Sequence, residues 1–229
     1  MDKLIVFDIA GTTIQDDNAV NKAFLQAFQQ FGLSPTSEQI DQVMGLAKPF
    51  AIKKILKELK DTTPVTEIHD QFLKNMIGHY SLDENVKEIT GTSATFEAMH
   101  KEGYKVALDT GFSRDITNLI IDKMDWVNKG LVDAVISSDQ VQYGRPYPYM
   151  IFKLMETLNI QSVHDVVKVG DTVADICEGL NAGCETVIGV TSGSDTFETL
   201  RALQSQVLRQ FLVVPSVADV PAILHYTPI

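Results

Sequence analysis

The chain has 229 residues, 45% of them hydrophobic, enough for one large core or a core with an inserted module, which excludes intrinsic disorder. Its 19 lysines and arginines face 30 aspartates and glutamates, a net charge of −11 that makes nucleic acid and anionic membrane poor partners. No apolar run approaches the roughly 20 residues that cross a bilayer.

In chain order, the apolar run Leu4-Ile5-Val6-Phe7 predicts a buried strand that ends at Asp8. Val20, Ala23, Phe24, Ala27, Phe28 and Phe31 then fall on one helical face, a core stripe with Gly32 as its stop. Further helical stretches read over 37–43, 49–59 and 65–80, with no convincing strand among them. From about Gly91 the pattern alternates: helix 95–102, strand 105–109, helix 114–124, strand 133–137 and helix 147–158. Strand 166–169, helix 173–181 and strand 186–190 continue it. Such alternation implies a parallel sheet with helices on both faces. The expected fold class is α/β, a doubly wound parallel sheet with an all-helical cap domain inserted after the first strand. The expected division is 1–14 plus 87–229 for the core and 15–86 for the cap.

Four short segments fall at predicted strand ends, where an open α/β sheet puts its chemistry. They are Asp8-Ile9-Ala10-Gly11-Thr12, Leu108-Asp109-Thr110-Gly111-Phe112, Tyr143-Gly144-Arg145-Pro146-Tyr147-Pro148 and Val169-Gly170-Asp171-Thr172, with Asp175 four residues on. A strand-tip carboxylate such as Asp8 is a candidate nucleophile. The Thr110 hydroxyl and the Gly111 amide suit a phosphoryl oxygen. Arg145 suits a phosphoryl dianion, since its planar fork donates in pairs and stays charged. A helix after Ala10-Gly11-Thr12 would add amide donors at its N-terminus.

In order and spacing the four segments resemble the four motifs of the haloacid dehalogenase superfamily, over essentially the whole chain. The usual first motif carries a second Asp, the acid for an alcohol leaving group, where this chain has Ala10. Ala10 and Arg145, with Gly-Arg-Pro-Tyr-Pro and Gly-Asp-Thr-Val-Ala-Asp, resemble phosphonatase (phosphonoacetaldehyde hydrolase) and its phosphonatase-like sister group. Val43-Met44-Gly45-Leu46-Ala47-Lys48 resembles that group's cap signature, which makes Lys48 the candidate Schiff-base former. The family's His three residues beyond that Lys is Ala51 here, its Trp after the nucleophile is Ile9, and its Tyr after the second-motif Gly is Phe112.

The resemblance implies Mg²⁺, held by Asp8, the Ala10 carbonyl and Asp171, with Asp175 orienting them from behind. It implies an aspartyl-phosphate on Asp8, phosphate contacts from Thr12, Thr110, Gly111 and Arg145, and a loop at Met44 and Gly45 shaped over the substrate. Lys48 precedes Pro49, so extended backbone is expected for it, at the start of a helix with Lys53 and Lys54 nearby. Dipole and like charge would both favour its free amine. A protonated imine accepts the bonding pair when phosphorus leaves, so no alkoxide needs a proton and Ala10 is accounted for.

The expected function is Mg²⁺-dependent cleavage of the C–P bond of a small 2-oxo-alkylphosphonate. The alternatives are a phosphatase acting on a small phosphomonoester, such as phosphoglycolate or a sugar phosphate, and a binding protein without turnover. The expected partner is thus a small phosphorylated or phosphonate metabolite, and the resemblance adds a homodimer through the cap helices. Thr172 reads as a helix cap, Asp109 and Asp115 as turn and cap groups, and the five histidines have no metal spacing. Cys177 and Cys184 read as reduced structural thiols. Met1-Asp2-Lys3 leads into the first strand without a signal-peptide pattern, so a cytoplasmic setting is expected.

Overall fold

A computed structural model describes residues 2–83 and 86–226. The segment 84–85 of the expected cap, and Met1 and the segment 227–229 of the expected core, therefore lie outside the described residues. The strands are β1 (Lys3–Asp8), β2 (Tyr104–Thr110), β3 (Ala134–Ser137), β4 (Val166–Gly170), β5 (Thr186–Val190) and β6 (Leu212–Val214). They form one parallel sheet in the order β3-β2-β1-β4-β5-β6. The helices are α1 (Ala19–Gln29), α2 (Ser37–Asp41), α3 (Lys48–Leu59), α4 (Val65–Leu82) and α5 (Thr92–Lys101). After β2 come α6 (Arg114–Met124), α7 (Tyr149–Leu158), α8 (Val173–Ala182), α9 (Phe197–Gln204) and α10 (Val220–Tyr226).

Strand side chains alternate between faces, and here both faces are buried. Ile5 and Phe7 pack with Phe96, Met99 and Ile116 on one side. Leu4 and Val6 pack with Met150, Leu154 and Ile176 on the other. The doubly wound α/β sheet expected from the alternation is what forms. Continuing the period of two, Asp8 follows Leu4 and Val6, Asp109 follows Ala107, and Lys168 follows Val166. Three charged side chains thus emerge on the α7–α8 face, near the carboxyl end of neighbouring strands. The chain order of the sheet reverses at β1, so the crevice outside its carboxyl end is where a ligand binds in this architecture.

Between β1 and α5 the described residues hold the helices α1 to α4, whose apolar faces pack on one another through Phe24, Phe28, Ile52, Ile55 and Phe72. Phe24 and Phe72 meet with ring centroids 4.6 Å apart. The chain enters and leaves this helical segment side by side: Gln15 N donates to Lys87 O and Ile89 N to Thr13 O, both at 2.9 Å. Lys123 Nζ of α6 donates to the Tyr80 carbonyl at the far end of α4 (3.2 Å).

Two local expectations are corrected. No helix follows Thr12: Gly11 N donates to Ile14 O, Thr13 N and Ile14 N both donate to Ile9 O, and α1 starts only at Ala19. Gly and Thr close a turn there. Lys48 is not extended either. It is the first residue of α3, and Ala47 carries the extended backbone (φ −56°, ψ 129°) ahead of Pro49 in the first turn.

Candidate active site

Arg145 is the hub of the crevice, and its guanidinium is almost wholly buried. Nη1 donates to Asp8 Oδ1 at 2.7 Å and sits 3.0 Å from Asp175 Oδ1. Nε donates to Glu178 Oε2 at 3.0 Å, and Nη2 to the Asp109 carbonyl (3.0 Å) and carboxylate. Lys168, buried in β4, pairs with the same acids: Asp109, Asp175 at 3.2 Å and Glu178 at 3.1 Å. Buried charges persist only when paired, and here two cations are shared among four carboxylates.

The proton balance follows. Burial alone would depress Arg145, but Asp109, Asp175, Asp8 and Glu178 hold it above the ordinary arginine range. Burial and Arg145 press Lys168 down, but Asp109, Glu178 and Asp175 hold it above the ordinary lysine range. Burial would raise Asp109, yet Arg145 and Lys168 bring it below the usual carboxylate range. Burial and the charge of Asp109 push Glu178 up to about 8, against the pull of Lys168 and Arg145. Asp8 is pushed to about 6 by burial, against the pull of Arg145.

Asp171 faces Asp8 across the crevice. Its oxygens accept from the Thr12 hydroxyl (3.1 Å) and the Ser194 amide (2.6 Å). Burial, with Asp8 and Asp175 nearby, still raises it well above the carboxylate norm. One oxygen from each of Asp8, Asp171 and Asp175 lies within 4.8 Å of the others. Three hard oxygens crowded at this spacing repel one another, and a divalent cation relieves that repulsion. The donor set fits a metal of the Mg²⁺ kind.

The helical segment supplies the other wall. Met44, Gly45 and Lys48 line the same cavity as Asp8, Ala10, Arg145 and Asp171, a space of about 20 Å³. Larger cavities, of about 500 and 850 Å³, contain none of the three cation-facing aspartates. Convergence of charge marks this site, and volume does not. The contact is tight: a Cβ on Gly45 (φ +75°) would lie 2.3 Å from Thr172 Oγ1, and one on Gly111 2.8 Å from Gly45 O. Lys48 is 4% exposed, and its Nζ sits 5.5, 6.0 and 5.2 Å from the ring centroids of Phe24, Phe72 and Phe112. Burial lowers its pKa to about 8, against Asp8 and Asp16, with Arg145 acting in the same direction. Burial, not Lys53 and Lys54, is therefore the leading cause.

A family model for haloacid dehalogenase-like hydrolases matches residues 5–189. The chain belongs to that family. Among curated relatives, the phosphonoacetaldehyde hydrolase of Parabacteroides distasonis is 31% identical over 96% of this chain and 95% of its own length. That of Bacillus cereus strain B4264 is 28% identical over 97% and 90%. A bifunctional phosphonoacetaldehyde hydrolase/aminoethylphosphonate transaminase of Clostridioides difficile is 30% identical over 84% of this chain, which spans only 32% of that longer protein. Among solved structures, a phosphonoacetaldehyde hydrolase-like protein from Oleispira antarctica superposes with TM-score 0.83 at 22% identity, covering 98% and 91% of the two chains. A predicted phosphoglycolate phosphatase from Haemophilus somnus does so with TM-score 0.75 at 19% identity, covering 97% and 98%. No helix among the described residues is long and apolar enough to cross a membrane.

In this haloacid dehalogenase-like hydrolase the cavity gathers Asp8, Ala10, Met44, Gly45, Lys48, Thr110, Gly111, Arg145, Asp171 and Asp175. Thr12 stands apart, its hydroxyl committed to Asp171. Thr110 Oγ1 accepts from the Phe112 amide (3.2 Å) while lining the cavity. Thr172 does cap α8, in a box shared with Asp175. Asp109 is corrected: it is no turn group but a fully buried partner of Arg145 and Lys168. Asp16, Lys168, Glu178 and Ser194 went unread. Lys168 had a signal, as a lone cation inside Val166-Val167-Lys168-Val169, and so had Glu178, three residues from Asp175 on one helical face. Ser194 acts through its backbone amide, which no side-chain pattern announces.

Proposed function

We propose that this hydrolase cleaves the C–P bond of a small 2-oxo-alkylphosphonate. The observation that carries the reading is Lys48: a buried amine with its pKa lowered to about 8, ringed by aromatic faces, lining the same cavity as Asp8 and Arg145. A lysine kept merely for charge would be solvated or paired. Among the described residues Lys48 has no ion-pair partner, and at neutral pH a useful fraction is nucleophilic.

In this reading Lys48 condenses with the substrate carbonyl, and Asp8 attacks phosphorus. The C–P bonding pair moves into the protonated imine, giving an enamine and an aspartyl-phosphate on Asp8. Arg145 neutralises the phosphoryl oxygens, and Thr110 and Gly111 add donors beside it. Asp8, the Ala10 carbonyl and Asp171 would hold Mg²⁺, with Asp175 behind them, and a bound Mg²⁺ would screen the charge between carboxylate and phosphoryl group. No alkoxide forms, so Ala10 needs no replacement. Residues 15–86 act as a cap over the 1–14 plus 87–229 core, hinged at the paired crossings near Gln15 and Lys87. Assembly as a homodimer through the cap helices and a cytoplasmic setting belong to the same proposal, and sedimentation of the purified protein checks the former.

The test offers phosphonoacetaldehyde, phosphoglycolate and sugar phosphates side by side with Mg²⁺, following phosphate and carbonyl release. The expected result is turnover of the phosphonate, lost in Lys48→Ala. Phosphomonoester turnover untouched by Lys48→Ala would favour the phosphatase alternative.

A further inference from the structure

Imine chemistry needs a proton carrier at the amine, and Asp8 and Asp171 are already committed to phosphorus and metal. Ala51, one turn along α3 from Lys48, carries no proton. Asp175 is taken by Arg145 and Lys168, which leaves one further carboxylate lining the cavity: Asp16, just before α1, half-buried. Its Oδ1 accepts a long bond from the Val20 amide, at 3.4 Å. Its charge is felt by Lys48, after that of Asp8. The hydroxyl of Tyr80 on α4 adds a second, independent observation. It is buried with no hydrogen-bond partner among the described residues, and it feels Asp16 and then Asp8. Its ring packs edge-on against Phe112, which lines the cavity, with centroids 5.9 Å apart. The charged groups around Asp16 are Lys48 on α3, His79 on α4 and the adjacent Asp17.

Resting on the Lys48 reading, we infer that Asp16 is the acid–base residue of the imine half-reaction. The free amine attacks the carbonyl carbon, the C=O π pair moves to oxygen, and a nitrogen proton follows it, giving a carbinolamine. Asp16 in its acid form protonates that hydroxyl. The C–O bond breaks, water leaves, and the nitrogen lone pair closes the iminium. Reprotonated from solvent, Asp16 delivers a proton to the enamine carbon once the C–P bond has broken. Its carboxylate then takes a proton from the water that adds to the iminium, and collapse of the adduct returns the carbonyl product and the amine. Burial raises the carboxyl of Asp16 above the ordinary aspartate value, the direction that favours its acid form.

The experiment measures two steps in the full-length protein with Mg²⁺. One is the rate of cyanoborohydride trapping of phosphonoacetaldehyde on Lys48, read by mass spectrometry. The other is phosphorylation of Asp8 from acetyl phosphate, which needs no imine. Asp16→Asn is expected to slow trapping by roughly 10²-fold or more and to leave phosphorylation within about twofold, with partial recovery in Asp16→Glu. Trapping at the wild-type rate, or equal slowing of both steps, overturns the inference and leaves Asp16 a structural group. A wild type that forms no adduct at all overturns the Lys48 reading, and this inference with it.

Discussion

At the residue scale, burying an unpaired amine has a thermodynamic signature. Below about pH 8 the folded protein must enclose an ammonium that the unfolded chain solvates. From about 8 up to the ordinary 10.5 the folded state holds fewer protons than the unfolded one, so stability rises with pH across that window. Lys48→Met is therefore expected to stabilise the fold at pH 7, by on the order of 1–3 kcal/mol. Urea melts should show the gain shrinking as pH climbs above 8. A destabilised variant at pH 7 would mean the amine is paired or solvated. Lys168 is the opposite case, because its partners are carboxylates that cannot reach water. Lys168→Met should cost roughly 3–5 kcal/mol, read from the same melts, and a neutral result would deny that Asp109 and Asp175 depend on it. Tyr80→Phe removes a hydroxyl that has no hydrogen-bond partner among the described residues, and the melting temperature should stay level or rise.

At the element scale, the loop from Met44 to Ala47 decides whether the two walls of the cavity can meet. Gly45 is left-handed and a Cβ there would strike Thr172, whose hydroxyl caps α8 through Asp175. Gly45→Ala should lower kcat/KM by roughly tenfold or more through misplacement of the amine, while phosphorylation of Asp8 from acetyl phosphate survives. Equal loss of both would show that the loop serves the core and not closure. Most of this organisation was legible beforehand. The strands through Val190, the helical stretches before Tyr80 and the motif tips follow from hydrophobic period and from Gly, Pro and Thr at the ends. What escaped was β6, α9 and α10. Their pattern is weak: β6 is only Leu212–Val214, an edge strand in which only Val214 is buried, and α9 buries only Leu200. The turn after Thr12 escaped because a Gly-Thr sequence suits both a helix start and a tight turn.

At the scale of the whole molecule, the −11 chain concentrates its buried positive charge at one crevice, where Arg145 and Lys168 sit among acids. That arrangement is poised for a cation and a phosphoryl group together. Mg²⁺ is expected to raise the melting temperature, since it binds the folded crevice and not the unfolded chain. Asp171→Asn should abolish that shift, and a shift that persists would place the cation elsewhere. The network itself lay beyond the sequence because it is a long-range fact. Asp8, Asp109, Arg145, Lys168 and Glu178 come from five separate elements and loops, and only the assembled sheet and its helices put them within bonding distance.

Covalent bonding by the amine on α3 is the central step of the proposed reaction. Its most direct measurement is reductive trapping with phosphonoacetaldehyde and borohydride, followed by peptide mapping. One stable adduct on the peptide containing Lys48, absent from Lys48→Ala, is the expected result. Turnover of the phosphonate with no adduct on that lysine would contradict the account.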